Sequence, residues 1–267
     1  VGFCTRERVT APPAEKRSLW RNLTEIWGIQ SYRRILLSGL LRTPTGLMNL
    51  LQMTVLSYYF GNNGRTPYVH YMLFLGIPAF LGQLIAAGVA PKLADKYGAA
   101  TTFAQANVFA GLTLLSAFAL FLCRPQQLTQ ALPSTLLILL LFCNMFCCGL
   151  VNTVQSILIA DAADQTEKES GIRRDGIFVS GQSLLIKLST GVSALLQGLV
   201  FAISGFSGTS VSQINRALYT GADFATDPSF ATPRFAMFFL FLCLPGIAYL
   251  LSALPYRKSR NPHKAPV

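Results

Sequence analysis

Lys187 is the one side chain whose position asks for a chemical explanation. It lies in the run GIFVSGQSLLIKLSTGVSALLQGLVFAISGF, residues 176–206, which reads as a long apolar helix with a single full charge inside it. Ten residues past Ile177, it falls roughly 15 Å into that helix at about 1.5 Å per residue. An ammonium group at that depth in hydrocarbon costs at least about 2.5–3.5 kcal/mol on insertion scales. On its helical face stand Gly176, Ser180, Ser183, Gly191, Ala194 and Gly198, while Leu184, Leu185, Leu188 and Leu195 cover the other sides. Small residues let a second helix approach and hydroxyls can wet a cavity wall. The expectation is that Lys187 and Ser183 face a bundle interior. The alternative is a structural lysine held by a backbone carbonyl or a buried partner.

Two more apolar blocks carry polar rows at helical spacing. Arg42, Thr45, Asn49, Gln52 and Tyr59 share a face of the first, and Asn144, Cys148, Asn152 and Gln155 share a face of the fourth. Arg42 has two open readings: a deep cation that orients an anionic or hydroxylated ligand by paired hydrogen bonds, or a side chain extended toward the headgroups. The amides either bind sugar-like hydroxyls or join helices. Three helices with one polar face each point to a shared aqueous cavity. All eleven Asp and Glu residues fall in loops or at helix ends. The two deep cations therefore lack an intramembrane counter-ion in this chain.

The elements that must position these groups are legible in the composition. Of 267 residues, 52% are hydrophobic and only 12% charged, about half the charge of a soluble domain. Six apolar blocks, roughly 35–60, 68–90, 100–123, 134–160, 177–206 and 234–254, are each long enough to cross a bilayer, which takes about 20 helical residues. None alternates as barrel strands do. The expected class is all-α and integral to the membrane. Six helices span residues 35–254, a segment with an interfacial helix occupies 1–34, and a tail occupies 255–267. Trp20, Leu23 and Trp27 on one face among cations suggest that interfacial helix. Residues 207–233 are rich in Ser, Thr, Gly and Asp and are expected to lack regular structure.

The net charge of +11 sorts by loop. Sixteen Lys and Arg fall in the N-terminal segment, the loops after the second and fourth blocks, and the tail. Arg65, Arg124, Arg216 and Arg234 alone fall on the other side. Such a bias marks the cytoplasmic face, so both termini are expected there, and the basic excess reflects topology and no nucleic-acid partner. His70 and His263 are isolated and the cysteines lack ligand spacing, so buried free thiols are expected, with no metal and no catalytic cluster.

The run ADAADQTEKESGIRRDG, residues 160–176, puts Asp161 and Asp164 after the fourth block and Arg173 and Arg174 before the fifth. If each pair caps its own helix, each has the wrong sign for that helix's dipole. Cross-pairing, or a partner domain, would offset this. Continued through Lys187, the run resembles the carboxyl-half signature of the glycoside–pentoside–hexuronide:cation symporters, the melibiose permease family of the major facilitator superfamily. The Ala-Asp-x-x-Asp pair, the Arg-x-x-Gly stretch and the later Lys occur here as Asp161, Asp164, Arg173 or Arg174, Gly176 and Lys187. FCTRERV at 3–9 resembles that family's middle-loop segment, and PKLADKYG at 91–98, with Asp95, is similar to the superfamily's Asp-x-x-Gly loop. Gln165 departs from a common Tyr.

The resemblance implies a twelve-helix transporter of two six-helix halves, of which this chain is the second. A first residue of Val rather than Met fits a fragment. It further implies coupling-ion carboxylates in an N-terminal six-helix half, near Lys187. The expected function is symport of a sugar or glycoside with Na⁺ or H⁺, in a plasma (inner) membrane and without another cofactor. The substrate and coupling residues are expected to be Lys187, Ser183, Arg42, Asn49, Gln52, Asn152 and Gln155. A cytoplasmic gate is expected from Asp161, Asp164, Arg173, Arg174 and Asp95. The other reading is a six-helix assembly partner or degenerate half-carrier without transport of its own. A membrane enzyme lacks a nucleophile elbow, metal cluster or phosphate loop to carry it.

Overall fold

A computed structural model describes residues 27–61, 68–170, 175–203 and 208–256. Among these the backbone is helical nearly throughout, with no strand. The first column is broken: α1 (Gln30–Leu41) ends in a 3₁₀ turn, Thr43–Thr45, before α2 (Gly46–Val55) and a π-helical turn, Leu56–Phe60. Continuous helices follow as α3 (Tyr68–Tyr97), α4 (Ala99–Cys123), α5 (Ala131–Ser170) and α6 (Asp175–Ile203). After a shorter α7 (Gly208–Tyr219), the last column is α8 (Ala231–Phe238), a π-helical turn at Phe239–Cys243, and α9 (Leu244–Ser252). Among the described residues, five segments are long and apolar enough to cross a membrane: Gly76–Tyr97, Ala99–Cys123, Ala131–Lys168, Phe178–Ile203 and Pro228–Tyr256. The first column has the apolar content, but its break leaves no single helix of that length.

α5 is the central post and packs most extensively against α3 and α4, while α9 packs against α4. Glycine makes those crossings close. A Cβ on Gly149 would lie 2.7 Å from Ala86 Cβ, and one on Gly111 would lie 2.8 Å from the Gly246 carbonyl oxygen. With little hydrophobic drive between helices in lipid, such close approach is what gives packing its strength. The α3–α4 joint is one residue, Gly98, at φ +85°, where a side chain would be strained. Two buried clusters result. One gathers Leu47–Phe60 side chains with those of α4, α5, α7 and the last column; the other gathers Tyr32, Ile35, Ala86, Phe103, Val151, Ala162, Phe178 and Tyr256. The break at Thr43–Thr45 falls between them.

Two expectations need correction. α5 runs on to Ser170, so Asp161 and Asp164 lie inside a helix and do not close one. The stretch ADAADQTEKES is made largely of good helix formers and has no glycine or proline before Gly171, so nothing stops the helix at the membrane edge. The supposed clash of these acids with the dipole at the helix end therefore lapses. Ser31 Oγ donates to Gln165 Oε1 at 3.0 Å, which ties this extension to α1. Arg173, Arg174, the 3–9 motif, Trp20 and Leu23 lie outside the described residues.

The second correction concerns the segment 207–233, in which Gly208–Tyr219 is a helix and Pro228–Phe230 a capped turn. α7 buries Ile214 and Leu218, and Tyr58 Oη donates to Asn215 Oδ1 at 3.0 Å. Asp227 caps the turn Pro228–Phe230 by accepting from the Ser229 N–H at 2.9 Å. Arg234, only 4% exposed, donates through Nη1 to the carbonyls of Phe224 at 2.9 Å and Ala225 at 2.7 Å. That guanidinium replaces the backbone ladder that the loop lacks.

Arg234→Leu leaves both carbonyls without their donor and is expected to cost roughly 2–4 kcal/mol, as lost charge-assisted bonds do. The readout is a lower melting temperature in detergent with faster tryptic cleavage after Arg216. Gly46→Ala places a Cβ 2.6 Å from Ser193 Oγ and 3.2 Å from Ser189 Oγ. It is expected to destabilise by about 1–3 kcal/mol, the usual cost of overpacking, and the same melting measurement reads it.

Candidate functional site

The break in the first column starts from its sequence. Pro44 has no N–H to continue the α1 ladder and fits the early position of a new turn. Thr43 Oγ1 bonds back to the Leu40 carbonyl at 2.8 Å. The Thr43 carbonyl in turn accepts the hydroxyls of Ser189, at 2.7 Å, and Ser193, at 3.0 Å, from α6. Two hydroxyls on one carbonyl pin α6 to the break, and Gly46 leaves them room. α6 also meets α1 at its start, where Tyr32 Oη donates to the Phe178 carbonyl at 2.7 Å and the two rings meet edge-on.

Between the broken column, α5 and α6 lies an open crevice of about 550 Å³. Its wall combines Arg42, Thr45 and Asn49 of the first column with Cys148, Asn152, Gln155 and Ser156 of α5. α6 contributes Gln182, Ser189 and Thr190, α3 contributes Gln83, and the last column contributes Tyr249. The surface mixes amides, hydroxyls and one guanidinium with apolar flanks such as Met48, Met145 and Ile186. Such a wall can hold a polyhydroxylated molecule by many neutral hydrogen bonds. Among the described residues, no carboxylate lines it and no group of His, Cys, Asp and Glu could hold a metal.

Arg42 has a defined environment. Nη2 donates to Gln155 Oε1, Nη1 is buried without a partner, and the guanidinium carbon lies 5.9 Å from the Phe103 ring centroid. Tyr249 Oη and Cys148 Sγ are 3.0 Å apart. A buried relay supports them: Ser252 Oγ donates to Asn107 Oδ1 at 2.8 Å, and Ser38 Oγ to the Ser252 carbonyl at 2.7 Å. The five described cysteines are free thiols, Cys123 exposed and Cys147 and Cys148 buried.

The structure brings four of the expected site residues, Arg42, Asn49, Asn152 and Gln155, to one crevice. Gln52 lines a smaller, mostly apolar groove beside it, with Asn49 and Met48 shared between the two. Tyr59, expected on the same face, is fully buried and donates to the Pro125 carbonyl at 2.8 Å. Asn144 joins helices, its Nδ2 donating to the Ala110 carbonyl at 3.1 Å. Lys187 and Ser183 are exposed and do not line the crevice. The α6 face toward it carries Gln182, Ser189 and Thr190, and at about 100° per residue the Lys187 stripe sits about a third of a turn away. Asp95, three residues before Gly98, and Asp161 and Asp164, on the extension of α5, are exposed. The residues missed by sequence reasoning are Gln83, Gln182, Ser189 and Tyr249. Gln182 and Ser189 share a face at a spacing of seven, a signal overshadowed by the charge five residues past Gln182.

Comparison with known proteins places this arrangement. The family described as MFS/sugar transport protein matches residues 2–258. The chain is 27% identical to the inner membrane symporter YicJ of Escherichia coli (strain K12) over 256 residues, 94% of this chain and 48% of that protein. It is 24% identical to an uncharacterized 29.9 kDa protein in the crtE 3′ region of Pseudescherichia vulneris, over 71% of this chain and 62% of that one. The chain thus spans about half to three fifths of the curated relatives it matches. With 257 of 267 residues inside one family and a multi-pass helical fold, this chain belongs to the MFS/sugar transport proteins, a transporter family and not an enzymatic one.

Proposed function

We propose that the chain is the carboxyl half of a cation-coupled sugar or glycoside symporter that works by alternating access. The observation that carries this is the amide- and hydroxyl-lined crevice at the break of the first column, in a member of a sugar transport family. Substrate binds there, held by Asn49, Asn152 and Gln155, and the crevice is completed by an N-terminal six-helix half. α6, held against the first column at Thr43 and at Tyr32, meets that half along its exposed face. Lys187 on that face takes its counter-charge from the partner half, which also supplies the carboxylates for Na⁺ or H⁺. The sixteen-to-four bias of basic residues supports termini on the cytoplasmic side. Asp95, Asp161 and Asp164 then stand at the cytoplasmic end, where Arg173 and Arg174 complete a gate. The bilayer surrounds the rest.

Uptake by the full-length protein of radiolabelled neutral and acidic sugars, at varied Na⁺ and pH, tests the reading. Asn152→Leu is expected to raise the KM for the transported sugar about tenfold, one hydrogen bond's worth, with unchanged membrane insertion. Lys187→Leu is expected to abolish ion-driven accumulation while leaving downhill exchange and insertion intact. Normal accumulation by that variant removes the coupling role.

A further inference from the structure

The contact between Arg42 and Gln155 has a consequence for how the crevice recognises a sugar. A guanidinium can only donate. Because Arg42 Nη2 donates to Gln155, the atom that receives it must be the amide oxygen. That settles an orientation which a free glutamine leaves open by a half-turn of its last torsion. The Gln155 side chain makes no other hydrogen bond among the described residues, and its amide nitrogen is not a buried orphan. The residue lines the crevice at 6% exposure. What it presents there is its NH₂, a donor.

Arg42 itself is poorly placed to hold a ligand by paired hydrogen bonds. Nη1 has no open surface and Nη2 is engaged, so the edge formed by those two nitrogens is closed. We infer that Arg42 is a positioning residue: it clamps the Gln155 amide so that the crevice offers a fixed donor to an oxygen lone pair of the substrate, a hydroxyl or ether oxygen. This rests on the sugar-transport reading above and specifies how one of its residues is used. It replaces the first of the two open readings of Arg42, a guanidinium that itself orients an anionic or hydroxylated ligand. Lysine in place of Arg42 can still donate to the amide oxygen and keep the orientation. Glutamate in place of Gln155 keeps the contact with Arg42, as an ion pair, but has no hydrogen to give the sugar.

The test uses full-length protein in proteoliposomes with radiolabelled methyl glycosides of glucose, galactose, xylose and glucuronic acid. Gln155→Glu and Arg42→Gln are each expected to raise the KM of a neutral glycoside about tenfold, the worth of one hydrogen bond, with Vmax within about twofold. Arg42→Lys is expected to stay within about threefold of wild type in both constants, as one retained donor predicts. A structural role alone would lower Vmax in all variants and would not be rescued by lysine. A melting cycle on the detergent-solubilised protein, using Arg42→Gln, Gln155→Leu and the double variant, checks the contact without transport. Non-additive melting shifts are expected, and additive ones overturn it. Unchanged KM in Gln155→Glu overturns the donor role. Selective loss of glucuronide uptake in Arg42→Lys makes the guanidinium the ligand and overturns the positioning role. Wild-type protein that moves none of the four glycosides overturns the sugar reading and the donor role with it, while the melting cycle still decides the clamp.

Discussion

The crevice exists because one carbonyl, that of Thr43, is bonded sideways to α6. That oxygen still accepts the Gly46 N–H within the turn, and its bonds to α6 add to the one that Tyr32 Oη of α1 makes to the Phe178 carbonyl at 2.7 Å. Pro44 leaves the Leu40 carbonyl to the Thr43 hydroxyl, and Ser189 and Ser193 add their hydroxyls to the Thr43 carbonyl. Irregular backbone is tolerated at membrane depth only where protein or water satisfies it, so the break and the wet crevice sustain each other. The hydroxyls fix the azimuth of α6. With Ser189 and Ser193 turned toward the column, Gln182 and Thr190 must face the crevice and Lys187 must face away.

That geometry explains which parts of the site were legible in the sequence. Cys148, Asn152 and Gln155 lie on a regular helix, so steps of four and three placed them correctly on one wall. Arg42, Thr45 and Asn49 also reached the crevice, but extending the same spacing to Gln52 and Tyr59 failed. Gln52, one turn past Asn49 on the regular α2, lines the adjoining groove, while Tyr59 lies in the π-helical turn Leu56–Phe60, whose residues per turn a constant period cannot follow. The stripe of small residues around Lys187 was read correctly as a stripe. Its direction was not readable, because the fixing contact is a hydroxyl-to-carbonyl bond between residues 146 apart in sequence.

The fold shows the same division. Six apolar blocks sufficed for six columns, since length and hydropathy are properties of single segments. α7 escaped because a short helix of polar composition is stabilised by what it packs on, here Tyr58 and the cluster around Leu218. The extension of α5 past the membrane edge escaped because hydropathy marks where lipid ends and says nothing of where a helix ends.

The two deep cations end in different roles, and the difference follows from their chemistry. A guanidinium is planar and weakly hydrated, so it can rest near the Phe103 ring and on a neutral amide without an acid beside it. An ammonium is compact and strongly hydrated, and Lys187, exposed along a mostly apolar helix, makes no ion pair among the described residues. The positive charge of Arg42 also disfavours a metal cation in the crevice, where about 4 kcal/mol would separate like charges 4 Å apart at an effective dielectric of 20. On the proposed symport reading, a coupling cation would bind beyond this wall, near carboxylates that the crevice does not possess among the described residues. The exposed face of α6 is the surface across which such carboxylates can reach Lys187, so occupancy of an ion site there would be felt by the same helix that Thr43 holds against the crevice.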